Sequence, residues 1–146
     1  HSTNYSNTLI LPAEDCRTVA KVPDKPGSVA ALQYAFLVKS PYSRTSDDVL
    51  SSVAALEKID QTNLQNFRVE YFSKGRPCFR ASPLTKTHGW AIHSDKDGFV
   101  ALLSPNGPEI AGLLKDNRVK KIKAMEIGAH SFLSAKVDIR YAAVIL

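Results

Sequence analysis

The side chains best suited to chemistry are concentrated in one stretch of the chain, residues 74–93. We expect Cys78, Arg80 and Ser82 to share one face of a short strand, because side chains alternate along an extended backbone. His93 would reach the same surface from a neighbouring strand. A nearby cation lowers the pKa of a thiol, an imidazole exchanges protons near neutral pH, and a guanidinium binds carboxylate or phosphate through two parallel hydrogen bonds. These groups together predict a site for a small anionic or carbonyl-bearing molecule.

Each residue of the predicted site has an expected role. Cys78 and His93 are the predicted catalytic residues, which would move protons, and Arg80 would orient the ligand. Lys74 and Lys86 would add positive charge at the rim. The predicted substrate-binding residues are Arg80, Lys74, Lys86, Trp90 and Ser82. A cofactor-independent enzyme and a binding protein both fit this pattern.

A structural explanation stays open for each of these residues. Cys78 has the properties of a small buried apolar side chain, and His93 could donate to a backbone carbonyl. Arg80 could pair with a carboxylate such as Glu70 or Asp95. For Trp90 we favour a place in the core over a role as a pocket wall.

The sequence predicts neither a metal site nor a bound cofactor. His88, His93 and Cys78 are suitable ligand types, but their spacing matches neither a zinc finger nor a helical His-Glu-x-x-His pattern. The glycines are scattered and form no phosphate-binding loop.

Capping residues and apolar spacing predict the helices in the first half of the chain. Ser28 is a predicted N-cap, and Thr45 and Asp48 have the spacing of a capping box. Residues 63–72 fit either a helix or a strand, and we favour the helix. The predicted elements are a strand at 8–12 and helices at 29–38, at 46 to between Ile59 and Gln61, and at 63–72.

Turn residues predict a sheet in the second half. A loop that ends in Asp97 and Gly98 is typical of an antiparallel hairpin. The predicted strands are 78–81, which Pro83 would end, 90–93, 99–103 and 118–125, with a helix at 109–115. The apolar segment 138–146 is predicted to be a strand or a buried tail. The predicted fold is a single α+β domain, an antiparallel sheet with three to four helices packed on it. Residues 1–125 would form this domain, and residues 126–146 a C-terminal extension that packs on it.

The chain resembles a family of small conserved soluble proteins of unknown function. The resemblance covers about the first 125 residues, fades after Met125 and implies no particular reaction. It rests on His1, Thr3, Asn4 and Tyr5, on Pro41 and Tyr42, on the segment 45–50, and above all on the segment Ser73 to His93.

The charge and composition of the chain indicate its partners and location and the alternative functions. The 146 residues carry 19 Lys and Arg against 14 Asp and Glu, a net charge of +5 that favours anionic partners. Two cysteines without repeated spacing indicate reduced thiols and a cytoplasmic protein, and no apolar run is long enough to cross a membrane. A basic nucleic-acid-associated protein, which would use the run 115–123, is possible but not favoured. A homodimer or interaction module, which would use a sheet edge or the tail 141–146, is a further alternative.

Overall fold

The computed structural model describes residues 1–58 and 64–128, and in them helices pack on both faces of a four-stranded sheet. The strands are β1 (Thr8–Leu11), β2 (Ala91–Ser94), β3 (Val100–Leu103) and β4 (Lys120–Lys123). The α-helices are α1 (Val29–Lys39), α2 (Ser46–Leu56), α3 (Leu64–Tyr71), α4 (Pro83–Lys86) and α5 (Pro108–Lys115), and a 3₁₀ helix spans Phe79–Ala81. The predicted α+β class is therefore confirmed.

The sheet is mixed, so the prediction of an antiparallel sheet is wrong for one strand pair. The strand order is β3-β2-β1-β4. The predicted β2–β3 hairpin is antiparallel, and β1 pairs with β2 in the same manner. β4 runs parallel to β1, with Thr8 opposite Lys120 and Leu11 opposite Lys123. No tight turn joins these two strands, so no local signal in the sequence sets their relative direction.

Alternating residues of the strands face two separate apolar layers. Ile10 and Ile92 belong to the larger layer, which includes residues of α1 and α2. Leu9 and Ala91 belong to a smaller layer, which Ile110 of α5 completes. His93 is two residues from Ala91 along β2 and directly opposite Leu9. Its side chain therefore lies on the face of the smaller layer.

The predicted strand at Cys78 to Ala81 does not form. This segment leads instead into the 3₁₀ helix and then into α4, for which Ser82 is the N-cap. The Ser82 hydroxyl accepts a hydrogen bond from the Leu84 backbone N–H at 3.1 Å. Pro83 occupies the first turn of α4, where its missing N–H costs nothing. The Ser-Pro pair thus begins a helix, and the expectation that Pro83 ends a strand is wrong.

The predicted caps of the first two helices are confirmed. The Ser28 hydroxyl accepts from Ala31 N–H at 3.2 Å at the start of α1. Thr45 and Asp48 form the capping box of α2, with bonds of 3.1 and 2.9 Å between each side chain and the other residue's N–H. α2 ends at Leu56, before the predicted end between Ile59 and Gln61, and residues 59–63 lie outside the described residues.

Gly89 allows two backbone segments to approach closely. Its φ is +75°, and a Cβ at this position would lie directly against the carbonyl oxygen of Thr18. Hydrogen bonds from Ala20 N to Gly89 O and from Lys21 N to His88 O join the two segments, at 3.0 and 2.8 Å. Gly89 therefore holds the loop after β1 against the end of α4.

Most of the predicted C-terminal extension lies beyond Gly128, outside the described residues, and so does the predicted final segment 138–146.

Candidate functional site

Arg80 is held at the end of β4 by two hydrogen bonds. Its Nε donates to the carbonyl oxygen of Lys123 at 2.7 Å, and its own carbonyl oxygen accepts from Met125 N–H at 2.8 Å. Within the described residues, the two terminal nitrogens of the guanidinium have no acceptor. A planar group held by one edge in this way leaves its other donors free for a ligand.

Arg80 lines a pocket of ≈580 Å³, which has the volume of a typical small-molecule site. The pocket lies where the parallel strands β1 and β4 end, because Ala124 N–H donates to Leu11 O at 2.9 Å just beyond both strands. Ligands often bind beyond the carboxyl ends of parallel strands in open α/β sheets. The pocket is lined by Glu14, Arg80, Lys123, Ala124, Met125 and Glu126.

Cys78 contacts a tyrosine from the start of the chain. The Tyr5 hydroxyl and the Cys78 Sγ are 3.3 Å apart, and either atom can be the donor. Burial raises the pKa of Tyr5 to about 12, with further contributions from the bond to Cys78 and from its charge, while the charge of Arg80 acts in the opposite direction. The phenol is therefore protonated at neutral pH, and Arg80 lies within electrostatic reach of it. Tyr5 and Cys78 line a pocket of ≈310 Å³ together with Arg76.

Lys86 lies near the same end of the sheet and is 8 % exposed. Hydrogen bonds from the N–H groups of Gly128 and Ile127, at 2.8 and 3.0 Å, lower the pKa of Asp15, and the charge of Lys86 adds to this effect. Asp15 follows Glu14 of the pocket directly. The structure thus brings Arg80, Cys78 and Lys86 to one region of the molecule.

His93 does not join this group, so the expected cluster of Arg80, Cys78 and His93 does not form. β2 pairs with β1 and β3, not with the segment that carries Cys78, and His93 faces the smaller apolar layer. Its Nδ1 is 2.8 Å from the hydroxyl of Tyr42, and burial lowers the pKa of the imidazole. Tyr42 has a φ of +58°, which is rare for a bulky residue.

Ser82, Trp90 and Lys74 also lie apart from the pocket. Ser82 is buried and donates to the Gln33 side chain at 2.5 Å in addition to capping α4. The Trp90 indole donates to Lys21 O at 2.8 Å, which satisfies it structurally. Lys74 is exposed and lines a separate pocket near α3. None of these three residues reaches the Arg80 pocket.

Part of the charge of the basic run 115–123 is paired with carboxylates. Asp116 accepts two hydrogen bonds from the Arg118 guanidinium, at 3.0 and 3.1 Å, which lower the pKa of this carboxyl to about 2. Lys121 donates to the carbonyl oxygen of Asp116 at 2.6 Å, and Lys123 pairs with Glu14. This pairing leaves less charge for a phosphate backbone than the sequence indicates.

The sequence reasoning missed several residues of the site. The sequence feature that includes Tyr5 is the N-terminal segment of the family resemblance, which does not by itself indicate a role in the site. No sequence pattern indicates a role for Met125 and Glu126, because they lie in the pocket with Arg80 only through the pairing of β1 with β4.

Comparison with known proteins is consistent with that resemblance. A family model, described as a family of unknown function (DUF6157), matches residues 1–129. The chain belongs to this family. The match spans every helix and strand described above and includes both Tyr5–Cys78 and Tyr42–His93. No curated protein matches the chain, and no solved structure does.

The described residues contain neither a metal-binding group nor a membrane-spanning helix. In residues 1–58 and 64–128, no group of three or more His, Cys, Asp or Glu side chains is arranged to hold a metal ion. Within the same ranges, no helix has the length and apolar character needed to span a membrane.

Proposed function

We propose that this protein binds a small anionic or carbonyl-bearing molecule, without a cofactor, in the pocket beyond β1 and β4. One observation carries the proposal: Arg80, which lines a pocket of ≈580 Å³, is fixed by its Nε, while its terminal nitrogens lack acceptors in the described structure. A guanidinium fixed in this way loses little freedom when it binds a carboxylate or phosphate through two hydrogen bonds.

The neighbouring Tyr5–Cys78 pair supports a role beyond electrostatic attraction. Because the pKa of Tyr5 is about 12, its hydroxyl is a stable hydrogen-bond donor at neutral pH. Such a donor suits the oxygen of a carbonyl or carboxylate group. We propose that Arg80 orients the ligand, and that a ligand long enough to extend from the Arg80 pocket into the separate pocket of ≈310 Å³ contacts Tyr5 and Cys78 there. Lys86 contributes positive charge to the same region.

Calorimetry with small anions tests this proposal. Acetate, hexanoate, succinate and inorganic phosphate are titrated into the wild type, Arg80→Lys, Arg80→Ala and Arg118→Ala. Arg80→Lys keeps the charge but loses the planar pair of donors, so we expect at least about tenfold weaker binding of the best anion. Arg118 is an exposed arginine whose guanidinium is bonded to Asp116, so its replacement is the matched control and should leave affinity unchanged.

Stability measurements separate a binding effect from a folding effect. Arg80→Ala also removes the bond to Lys123 O, so its unfolding is followed alongside its affinity. Equal affinity in the wild type and both Arg80 variants would contradict the proposal, and so would the failure of all four anions to bind the wild type.

We further propose a cytoplasmic location, with support from two cysteines that form no disulfide.

Nucleic-acid binding has less support than a small ligand, because Arg118, Lys121 and Lys123 already have partners. A titration with DNA and RNA at two salt concentrations tests this alternative, which requires affinity that falls steeply as salt rises. Sedimentation tests the alternative of a homodimer.

A further inference from the structure

The Arg80 pocket contains charges of both signs, and two of its four charged side chains neutralise each other. Lys123 forms an ion pair with Glu14. The two remaining charges, Arg80 and Glu126, line the same pocket but form no ion pair with each other. In the described part of the chain, the Glu126 carboxylate accepts no hydrogen bond. Among residues 1–58 and 64–128, the pocket therefore presents one unpaired cation and one unpaired anion.

Glu126 lies on a backbone that is anchored on both sides. Met125 N–H donates to Arg80 O at 2.8 Å, and Ile127 N–H donates to the Asp15 carboxylate at 3.0 Å. The first of these bonds ends on the residue that carries the free guanidinium. The backbone that carries the anion is consequently fixed relative to the backbone of the residue that carries the cation.

An apolar surface accompanies the two charges. Met125 lines the pocket and is 41 % exposed, so it is accessible to a ligand. Its flexible thioether adapts to apolar groups of different shape. A ligand in this pocket would thus contact a cation, an anion and an apolar wall.

We infer that the pocket takes a zwitterion, with a carboxylate on Arg80, an ammonium on Glu126 and an apolar group against Met125, as an α-amino acid with an apolar side chain would provide. This inference rests on the proposed anion site and adds the class of its ligand. A ligand with a carboxylate alone would be repelled by Glu126, whereas an added ammonium turns that repulsion into attraction. For partly exposed charges, we expect a gain in affinity of roughly 1.5- to fivefold.

Three probes that differ by one group each test the inference. Norleucine carries both charges, hexanoate lacks only the ammonium, and pentylamine lacks only the carboxylate. Each is titrated by calorimetry into the wild type, Glu126→Gln, Arg80→Lys and Glu109→Gln. Glu109 is an exposed glutamate on α5, outside the pocket, and serves as the matched control.

The expected result is a wild-type preference for norleucine over hexanoate of roughly 1.5- to fivefold, as for an added exposed ion pair. Glu126→Gln should abolish this preference without weakening hexanoate, whereas Arg80→Lys should weaken both carboxylates. Glu109→Gln should behave as the wild type. The unfolding midpoint of each variant shows whether it is folded.

The outcomes separate the inference from the proposal on which it rests. If hexanoate binds the wild type as tightly as norleucine does, or if Glu126→Gln keeps the preference, the zwitterion is overturned while the anion site stands. If neither carboxylate binds the wild type, the zwitterion fails whatever pentylamine does, and the anion site fails with it when acetate, succinate and phosphate do not bind either.

Discussion

Replacing Gly89 with alanine tests whether the loop after β1 is held against α4 as described. The new Cβ would lie directly against Thr18 O and 2.9 Å from Val19 Cα, both of which are backbone atoms that cannot rotate away. The loop must therefore move, and the hydrogen bonds from Ala20 and Lys21 would be lost.

The expected cost follows from these contacts. A left-handed conformation costs an alanine about 1–2 kcal/mol relative to glycine. Each of the two lost backbone bonds costs roughly 0.5–1.5 kcal/mol. We therefore expect Gly89→Ala to lower the free energy of unfolding by about 2–5 kcal/mol, a large share of the roughly 5–15 kcal/mol typical of a domain.

Two other glycines with positive φ provide matched controls. Gly27 has a φ of +79° and no heavy atom within 4 Å of the position that a Cβ would occupy, and Gly98 has a φ of +88° with its nearest atom at 3.5 Å. Alanine at either position should cost only the conformational term of about 1–2 kcal/mol. Urea denaturation followed by circular dichroism measures all three variants. A Gly89→Ala variant no less stable than Gly27→Ala would refute the close approach.

Three further predictions concern the caps and the buried titratable groups. Thr45→Ala removes the cap of α2 and should cost about 1 kcal/mol in urea denaturation. Burial lowers the pKa of His93 in the folded state, so its contribution to stability is present above the unfolded value of about 6.5 and is lost as the pH falls below it. The urea concentration at the unfolding midpoint should therefore decrease as the pH is lowered from neutral to mildly acidic. This decrease should be smaller in His93→Gln, and an equal decrease in both proteins would contradict the prediction. Cys78→Ala should lower the pKa of Tyr5 from about 12 in a spectrophotometric titration, since it removes a bond that raises this pKa, whereas burial remains.

Local signals predicted most of the fold. Ser28 and the Thr45–Asp48 capping box mark helix starts within a few residues of sequence, and the Asp97-Gly98 turn marks the hairpin. The strand prediction at Cys78 failed because the Ser-Pro cap signal after it was interpreted as a strand end. Periodicity alone does not distinguish the two cases in so short a segment.

The candidate site was predicted only in part. Arg80 was expected to bind an anion, and its free guanidinium nitrogens are consistent with that role. The predicted cluster of Arg80 with His93 depended on a strand at 78–81, which does not form. Its contacts with Lys123 and Met125 depend on the parallel pairing of β1 and β4, which no local pattern encodes.

The position of β1 in the middle of the sheet affects the order in which the chain folds. β1 is complete by Leu11, but its two neighbours are Ala91–Ser94 and Lys120–Lys123. During synthesis, both edges of the apolar strand β1 therefore stay unpaired until about a hundred further residues have been added. In the same time, α1 and α2 can form from local contacts. Contacts so distant in sequence slow folding and leave the strand exposed to other chains. We therefore expect β1 to be the segment most dependent on chaperones until β4 has emerged.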